Sequence, residues 1–274
     1  MGVRVKSRGL ALVASGACVF FVWAAHAADA DKQHPTAPGY SFYGDPGAPN
    51  ISGLWFGTFT AAPGERPQGG GEDRDITHWA PWPPPLQPPY QALFDKKMTA
   101  AKAGRQLGDI GAKCLPFGMP WAFTLKVYPD EIIQTPGEVS IWVWGTFPIV
   151  IWTDGRPHPK DLTPSYNGHS IGYWEGDTLH VDTVGIVAAT PVDAVGTPHS
   201  AKLHMKSTIQ RVAPDTVHVH VTLYDEEAFT EPMVTTDIWR RKSGREWELL
   251  DDGSCFENNR NTPDDSGATG FKHF

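Results

Sequence analysis

The second half of this chain is a succession of short apolar or alternating runs, four to ten residues long, broken by Gly, Pro and Asp turns. From Cys114 onward the runs are Ala122–Tyr128, Glu131–Gln134, Val139–Trp144, Ile149–Trp152, Ser170–Trp174, Thr178–Val184, Leu203–Val212, Thr216–Leu223, Met233–Lys242 and Glu246–Leu250. Turn signals at this spacing predict strands joined by tight connections, hence a mainly β domain: an antiparallel barrel or sandwich, lipocalin-like in organisation. Two hairpins are legible directly. Trp174-Glu175-Gly176-Asp177-Thr178 turns through Gly176, and Val212-Ala213-Pro214-Asp215-Thr216 turns through a proline that pre-sets φ. An earlier run, Ile51 to Thr60, predicts a first strand with Leu54, Phe56 and Thr58 on one face.

Between that first strand and the strand-rich half lies a different texture. Residues 61–89 hold Gly69-Gly70-Gly71 and WAPWPPPLQPP. Proline lacks the amide donor and fixes φ, so this is expected to be an extended arm, with Trp79 and Trp82 packed on the body, rather than a ladder strand. Residues 90–106 predict the single helix: Tyr90, Leu93, Phe94 and Met98 recur at helical spacing, Pro88-Pro89 sits at the start and Gly108 follows the end. Everything from 51 to 260 reads as one domain, preceded by a polar leader over 28–50 and followed by a polar tail over 261–274.

The first 27 residues are expected to be a signal peptide. Arg4, Lys6 and Arg8 precede an apolar run, Leu10–Ala25, and Ala25-His26-Ala27 supplies a small-x-small cleavage pattern. That run of about 16 residues falls short of the ~20 needed to span a bilayer, so no membrane span is expected after cleavage. Export to the periplasm or outside follows. Cleavage removes three positive charges and no negative one, moving the formal net charge from −8 to about −11. An acidic surface argues against nucleic acid as a partner, which requires a basic patch. Of the three cysteines, Cys114 and Cys255 survive cleavage. In an oxidising compartment they are expected to form one long-range disulfide, with two separate thiols as the alternative.

Chemistry concentrates between Asp154 and Thr183. Asp154-Gly155-Arg156-Pro157-His158-Pro159 is first a turn, in which Asp154 and Arg156 could simply pair at the surface. His158, however, is held between two prolines, which restrict how its imidazole is presented. Tyr166-Asn167-Gly168-His169-Ser170 again places turn residues before a histidine at the mouth of a strand. Counting back from Gly176 puts Asp182 opposite residue 170, give or take one, so His169 is expected to pair with Asp182. Such a pair either serves a general base or braces a barrel end. Pro198-His199-Ser200 and His204 add two imidazoles.

The absences matter as much. Gly168-His169-Ser170-Ile171-Gly172 matches a nucleophile elbow by letters, but no helix pattern follows it. No phosphate-binding glycine loop or dinucleotide fingerprint occurs. The set His158, His169, His199, His204 lacks close metal-ligand spacing, so no metal and no cofactor are expected, although imidazole plus carboxylate would suit zinc or iron. His218 and His220 share one face of a strand whose other face carries Val217, Val219 and Val221; with His180 they read as solvated positions outside the site. Eleven tryptophans either fill the core or line a pocket, among them Trp174.

The run from Cys114 to Arg260 resembles a family of exported bacterial proteins. The matching features are Cys114-x-Pro116-x-Gly118-Met119-Pro120, EIIQTPGEV at 131–139, DGRPHP at 154–159, NGHSIGYWEGDTLHVDTVG at 167–185, PHS at 198–200 with His204, and Cys255-x-Glu257-Asn258-Asn259-Arg260. The resemblance implies a compartment rather than a reaction. It also carries a departure: where relatives place an arginine shortly before Asp-Gly-Arg, this chain has Ile149-Val150-Ile151-Trp152.

The functional expectation is therefore a cofactor-independent lyase, isomerase or hydrolase acting on a small molecule. His169 oriented by Asp182 is the expected base, and His158 or His199 the acid. Arg156 is expected to steady an anionic oxygen, with Asp154, Tyr166, Trp174 and His204 around the substrate. The alternatives are a carrier of an apolar or aromatic ligand inside a Trp-lined barrel, and a His-ligated metal enzyme.

Overall fold

A computed structural model describes residues 47–57, 81, 83–103, 115–124, 129–143, 147–193 and 195–241. Its strands are β1 (Gly53–Gly57), β2 (Asp130–Thr135), β3 (Glu138–Trp142), β4 (Ile149–Trp152), β5 (His169–Glu175), β6 (Thr178–Val184), β7 (His204–Ala213), β8 (Thr216–Tyr224) and β9 (Met233–Arg241). They pair in sequence order, and β1 closes on β9, giving a closed nine-stranded, lipocalin-like barrel. Closure removes the exposed edges an open sheet would present. The expected signal peptide, most of the expected Pro-rich arm with Trp79 and Trp82, Trp144, Cys114, Cys255, the strand expected over 246–250 and the tail lie outside the described residues.

Period-2 alternation gives every strand one inward and one outward face. Inward positions such as Trp55, Ile132, Ile141, Ile151, Leu179, Met205, Ile209, Val219 and Trp239 belong to one continuous buried core. Both predicted hairpins form: β5 turns into β6 with Glu175 opposite Thr178, and β7 into β8 with Ala213 opposite Thr216 after a bulge at Arg211.

Two elements depart from expectation. The predicted strand at 122–128 begins instead as a four-residue helix, α2 (Trp121–Thr124). The Ala122 amide bonds the Gly118 carbonyl and the Phe123 amide bonds the Pro120 carbonyl, so the proline opens a helical turn, as its fixed φ favours. The expected single helix is α1 (Pro88–Lys102), which starts two residues earlier than predicted because both prolines occupy its first turn. No helix among the described residues is long and apolar enough to cross a membrane.

The departure that shapes the site is the β4–β5 pairing, which is parallel (Ile151 beside Ser170, Trp152 beside Ile171) in an otherwise antiparallel barrel. Parallel neighbours cannot be joined by a hairpin, so the chain must return along the barrel before β5 begins. With the inside packed, residues 153–168 make that return over the outer wall.

Candidate functional site

The outward faces of β5–β8 form ladder rows running around the barrel. One row reads Trp152, Ile171, Asp182, Lys206, Thr222; the next reads Tyr173, His180, Thr208, His220, Thr236. On the other side of the first row, His169 faces Val184, and His204 faces Tyr224. One step past the Thr183–Met205 pair, Val184 lies beside His204. Seven histidines fall among the described residues. Five of them (His169, His180, His204, His218 and His220) sit on this wall, and His158 reaches it from the crossover.

Asp182 is diagonal to two imidazoles, His169 on one flanking strand and His204 on the other. Its carboxylate is hydrogen-bonded to His204 Nε2. This corrects the expected His169–Asp182 pair. The register lies within the predicted margin, since Asp182 faces Ile171, but the crossover delivers another partner to His169. His158 Nδ1 lies 2.8 Å from His169 Nδ1, with the rings edge to face. One of the two nitrogens must carry the proton and the other accept it. Burial lowers the His158 pKa; the Asp182 carboxylate opposes that shift and His204 adds to it. His169 is likewise lowered by burial, then by His158 and Arg156. Both imidazoles therefore favour the neutral form. His158 Nε2 is shielded from solvent and has no partner among the described residues.

The Asp154-Gly155-Arg156 turn supplies the roof. Arg156 Nε lies 2.9 Å from Asp154 Oδ1, and the guanidinium stands 3.8 Å over the Trp152 ring. The hydrogen bond from Arg156 holds the exposed Asp154 carboxyl below the usual range. Beneath this turn is a groove of about 530 Å³, floored by the two ladder rows and lined by Arg156, Tyr173, His180, Asp182, Lys206 and His220 among others. A second depression, of about 490 Å³, is lined by Lys202, His204, Tyr224, Asp225, Glu226 and Glu227. The Asp182–His204 pair thus reaches both concavities, through Asp182 on one side and His204 on the other.

Three predicted residues lie elsewhere. His199 is only 2% exposed and is held by Thr190 Oγ1 at 3.1 Å and the Ser200 carbonyl at 2.8 Å. Burial lowers its pKa, and the surroundings give it a bracing role in the loop before β7. Trp174 occupies an inward position and packs against the core. Tyr166 serves through its backbone, accepting a bond from the Met119 amide at 2.8 Å. Conversely, Tyr173, His180, Lys206 and His220 line the groove but fall outside the predicted site. The signal that could have found them is parity: His180 and Asp182, like His220 and Thr222, are two residues apart on one strand and so share a face.

Among the described residues no three or more His, Cys, Asp or Glu side chains converge in a way that could hold a metal ion. Compared with family models, with curated proteins and with solved structures, the chain matches none.

Proposed function

We propose that the protein is an exported small-molecule enzyme whose acid–base chemistry takes place in the outer-wall groove. The observation that carries this reading is the placement of Asp182: it lines the groove and is hydrogen-bonded to an imidazole. A carboxylate so placed accepts a proton from a bound substrate or water, while the hydrogen bond with His204 stabilises its charge and holds its orientation. Arg156, oriented by Asp154 and stacked on Trp152, steadies negative charge developing on the substrate. The neutral His158–His169 pair, close enough to be influenced by Asp182, flanks the groove as a hydrogen-bond donor and carries no proton to give up as a charged acid. The reaction class is that of a lyase, isomerase or hydrolase, working in the periplasm or outside the cell.

Carriage of an apolar ligand inside the barrel is the weaker reading, because Trp55, Ile141, Ile151, Leu179 and Val219 fill the inward positions. The test is turnover of a panel of small esters, lactones and β-hydroxy acids by the purified protein, then by Asp182→Asn and His204→Gln. Each substitution is expected to lower the rate by about 10²–10⁴, the range for loss of general acid–base catalysis. Unchanged rates in both variants, or no turnover by the parent protein across all three classes, would reject the reading.

A further inference from the structure

We infer that the groove selects a small organic anion carrying a flat ring, an aromatic or heteroaromatic carboxylate, with its charge on Lys206 and its ring on the Tyr173 side. This deepens the proposed function and rests on the groove being the active site.

The charge argument comes from the lining. The protein as a whole is acidic, at −8 by formal charge. The groove nevertheless presents two cations, Arg156 and Lys206, against one carboxylate, Asp182, which is already hydrogen-bonded to His204. Arg156 is partnered by Asp154. Lys206 forms no ion pair among the described residues. It stands directly beside Asp182 in the ladder and is exposed on the outer wall. An ammonium in that position meets an incoming carboxylate with no ion pair to break, the neighbouring Asp182 being engaged by His204, and it holds the ligand within reach of Asp182.

The shape argument comes from the neighbouring row. Tyr173 and His180 stack with ring centroids 4.9 Å apart and planes within 8° of parallel, and His180 is itself braced by Glu175 at 3.3 Å. Tyr173 remains 61% exposed at the groove. A braced aromatic pair is a platform for a third flat ring, and offset stacking is the preferred geometry for such contacts. Adjacent strands lie about 4.8 Å apart and the two residues are offset by two positions, about 6.8 Å, along the strands, so the backbones at Tyr173 on β5 and Lys206 on β7 are separated by roughly 12 Å. That span suits a ring bearing one carboxylate, whereas a bare short-chain acid would reach only one end.

The experiment titrates the purified, isotopically labelled protein with benzoate, benzamide and acetate, followed by amide and imidazole NMR shifts. Benzoate is expected to saturate and to shift signals of Tyr173, His180 and Lys206. Benzamide and acetate are each expected to bind about tenfold more weakly, the size of one charge-assisted or stacking contact. Lys206→Ala should weaken benzoate about tenfold while Lys206→Arg retains it. Equal binding of benzoate and benzamide, no effect of Lys206→Ala, or no saturable benzoate shift would overturn the inference. Asp182→Asn separates this inference from the proposed function: it removes a negative charge from the groove, so benzoate binding is held or tightened while turnover is lost. Benzoate selectivity without any Asp182-dependent turnover would leave the anion site standing and reject the enzyme.

Discussion

Asp193 is a buried carboxylate whose environment opposes its charge, and its replacement by Asn yields a quantitative test. The side chain is 2% exposed and accepts bonds from the Thr197 amide at 3.0 Å and the Thr197 hydroxyl at 2.9 Å. Burial pushes its pKa from 3.8 up to about 6 in spite of those bonds. The charged group facing it is Lys97 of α1, whose ammonium donates to the Gly196 carbonyl at 2.9 Å. A pKa raised in the folded state means stability that is fully present below the unfolded value and lost as pH rises through about 6. Each tenfold difference in proton affinity between folded and unfolded chain is worth about 1.36 kcal/mol, so full ionisation costs about 3 kcal/mol, of which about 2 kcal/mol develops between pH 4.5 and pH 8.

Asn keeps the shape and removes the titration. Any difference between Asn and a protonated Asp is the same at every pH. The histidines titrate in both proteins and cancel in the comparison. Urea unfolding of parent and Asp193→Asn across that pH range should therefore give a stability difference that moves by about 2 kcal/mol in favour of Asn as pH rises. A difference that stays flat with pH would refute the buried-carboxylate argument.

Three further outcomes are expected. Gly168 has φ +66, and a Cβ there would lie 2.6 Å from the Val184 carbonyl oxygen, so Gly168→Ala should cost about 2–3 kcal/mol, read as a Tm lowered by roughly 5–10 °C, and should disturb the His169 imidazole signals. Asp225 accepts from the Ser200 amide at 2.6 Å, the Ser200 hydroxyl at 2.7 Å and the Ala228 amide at 3.1 Å, all buried; Asp225→Ala should cost about 3–5 kcal/mol in urea unfolding. His158, His169, His199 and His220 all have pKa values lowered first by burial, so they bind fewer protons in the folded state than in the unfolded state; their joint effect is stability lost as pH falls from about 6.5 through those lowered values. Unfolding in the Asp193→Asn background isolates this effect, and nitrogen NMR should find the His158 and His169 rings neutral at pH 7.

The parts of this protein legible in its sequence are those governed by local rules. Alternation with period 2 located β1 to β9 and gave their residues faces, because successive side chains on a strand must point to opposite sides, but it also marked 122–128 as a strand where a helical turn forms. Gly176 and Pro214 placed both hairpins, and counting from the first put Asp182 within one residue of its true neighbour, Ile171. The same parity puts His180 on the face of Asp182 and His220 on that of Thr222, yet these histidines read from the sequence as solvated positions outside the site, and that face is the floor of the groove. What tertiary structure alone decided is which chemistry-bearing groups meet. Asp182 stands diagonal to both His169 and His204, so strand parity could not choose between them. The choice follows from the parallel β4–β5 junction, which sends residues 153–168 across the outer wall and sets His158 against His169, while Asp182 bonds His204. His199 sits within a few residues of His204, yet one is buried behind Thr190 and the other opens to the surface. Burial and partnership depend on elements distant in the chain, and the filled core forces the crossover outward; a linear reading holds neither fact.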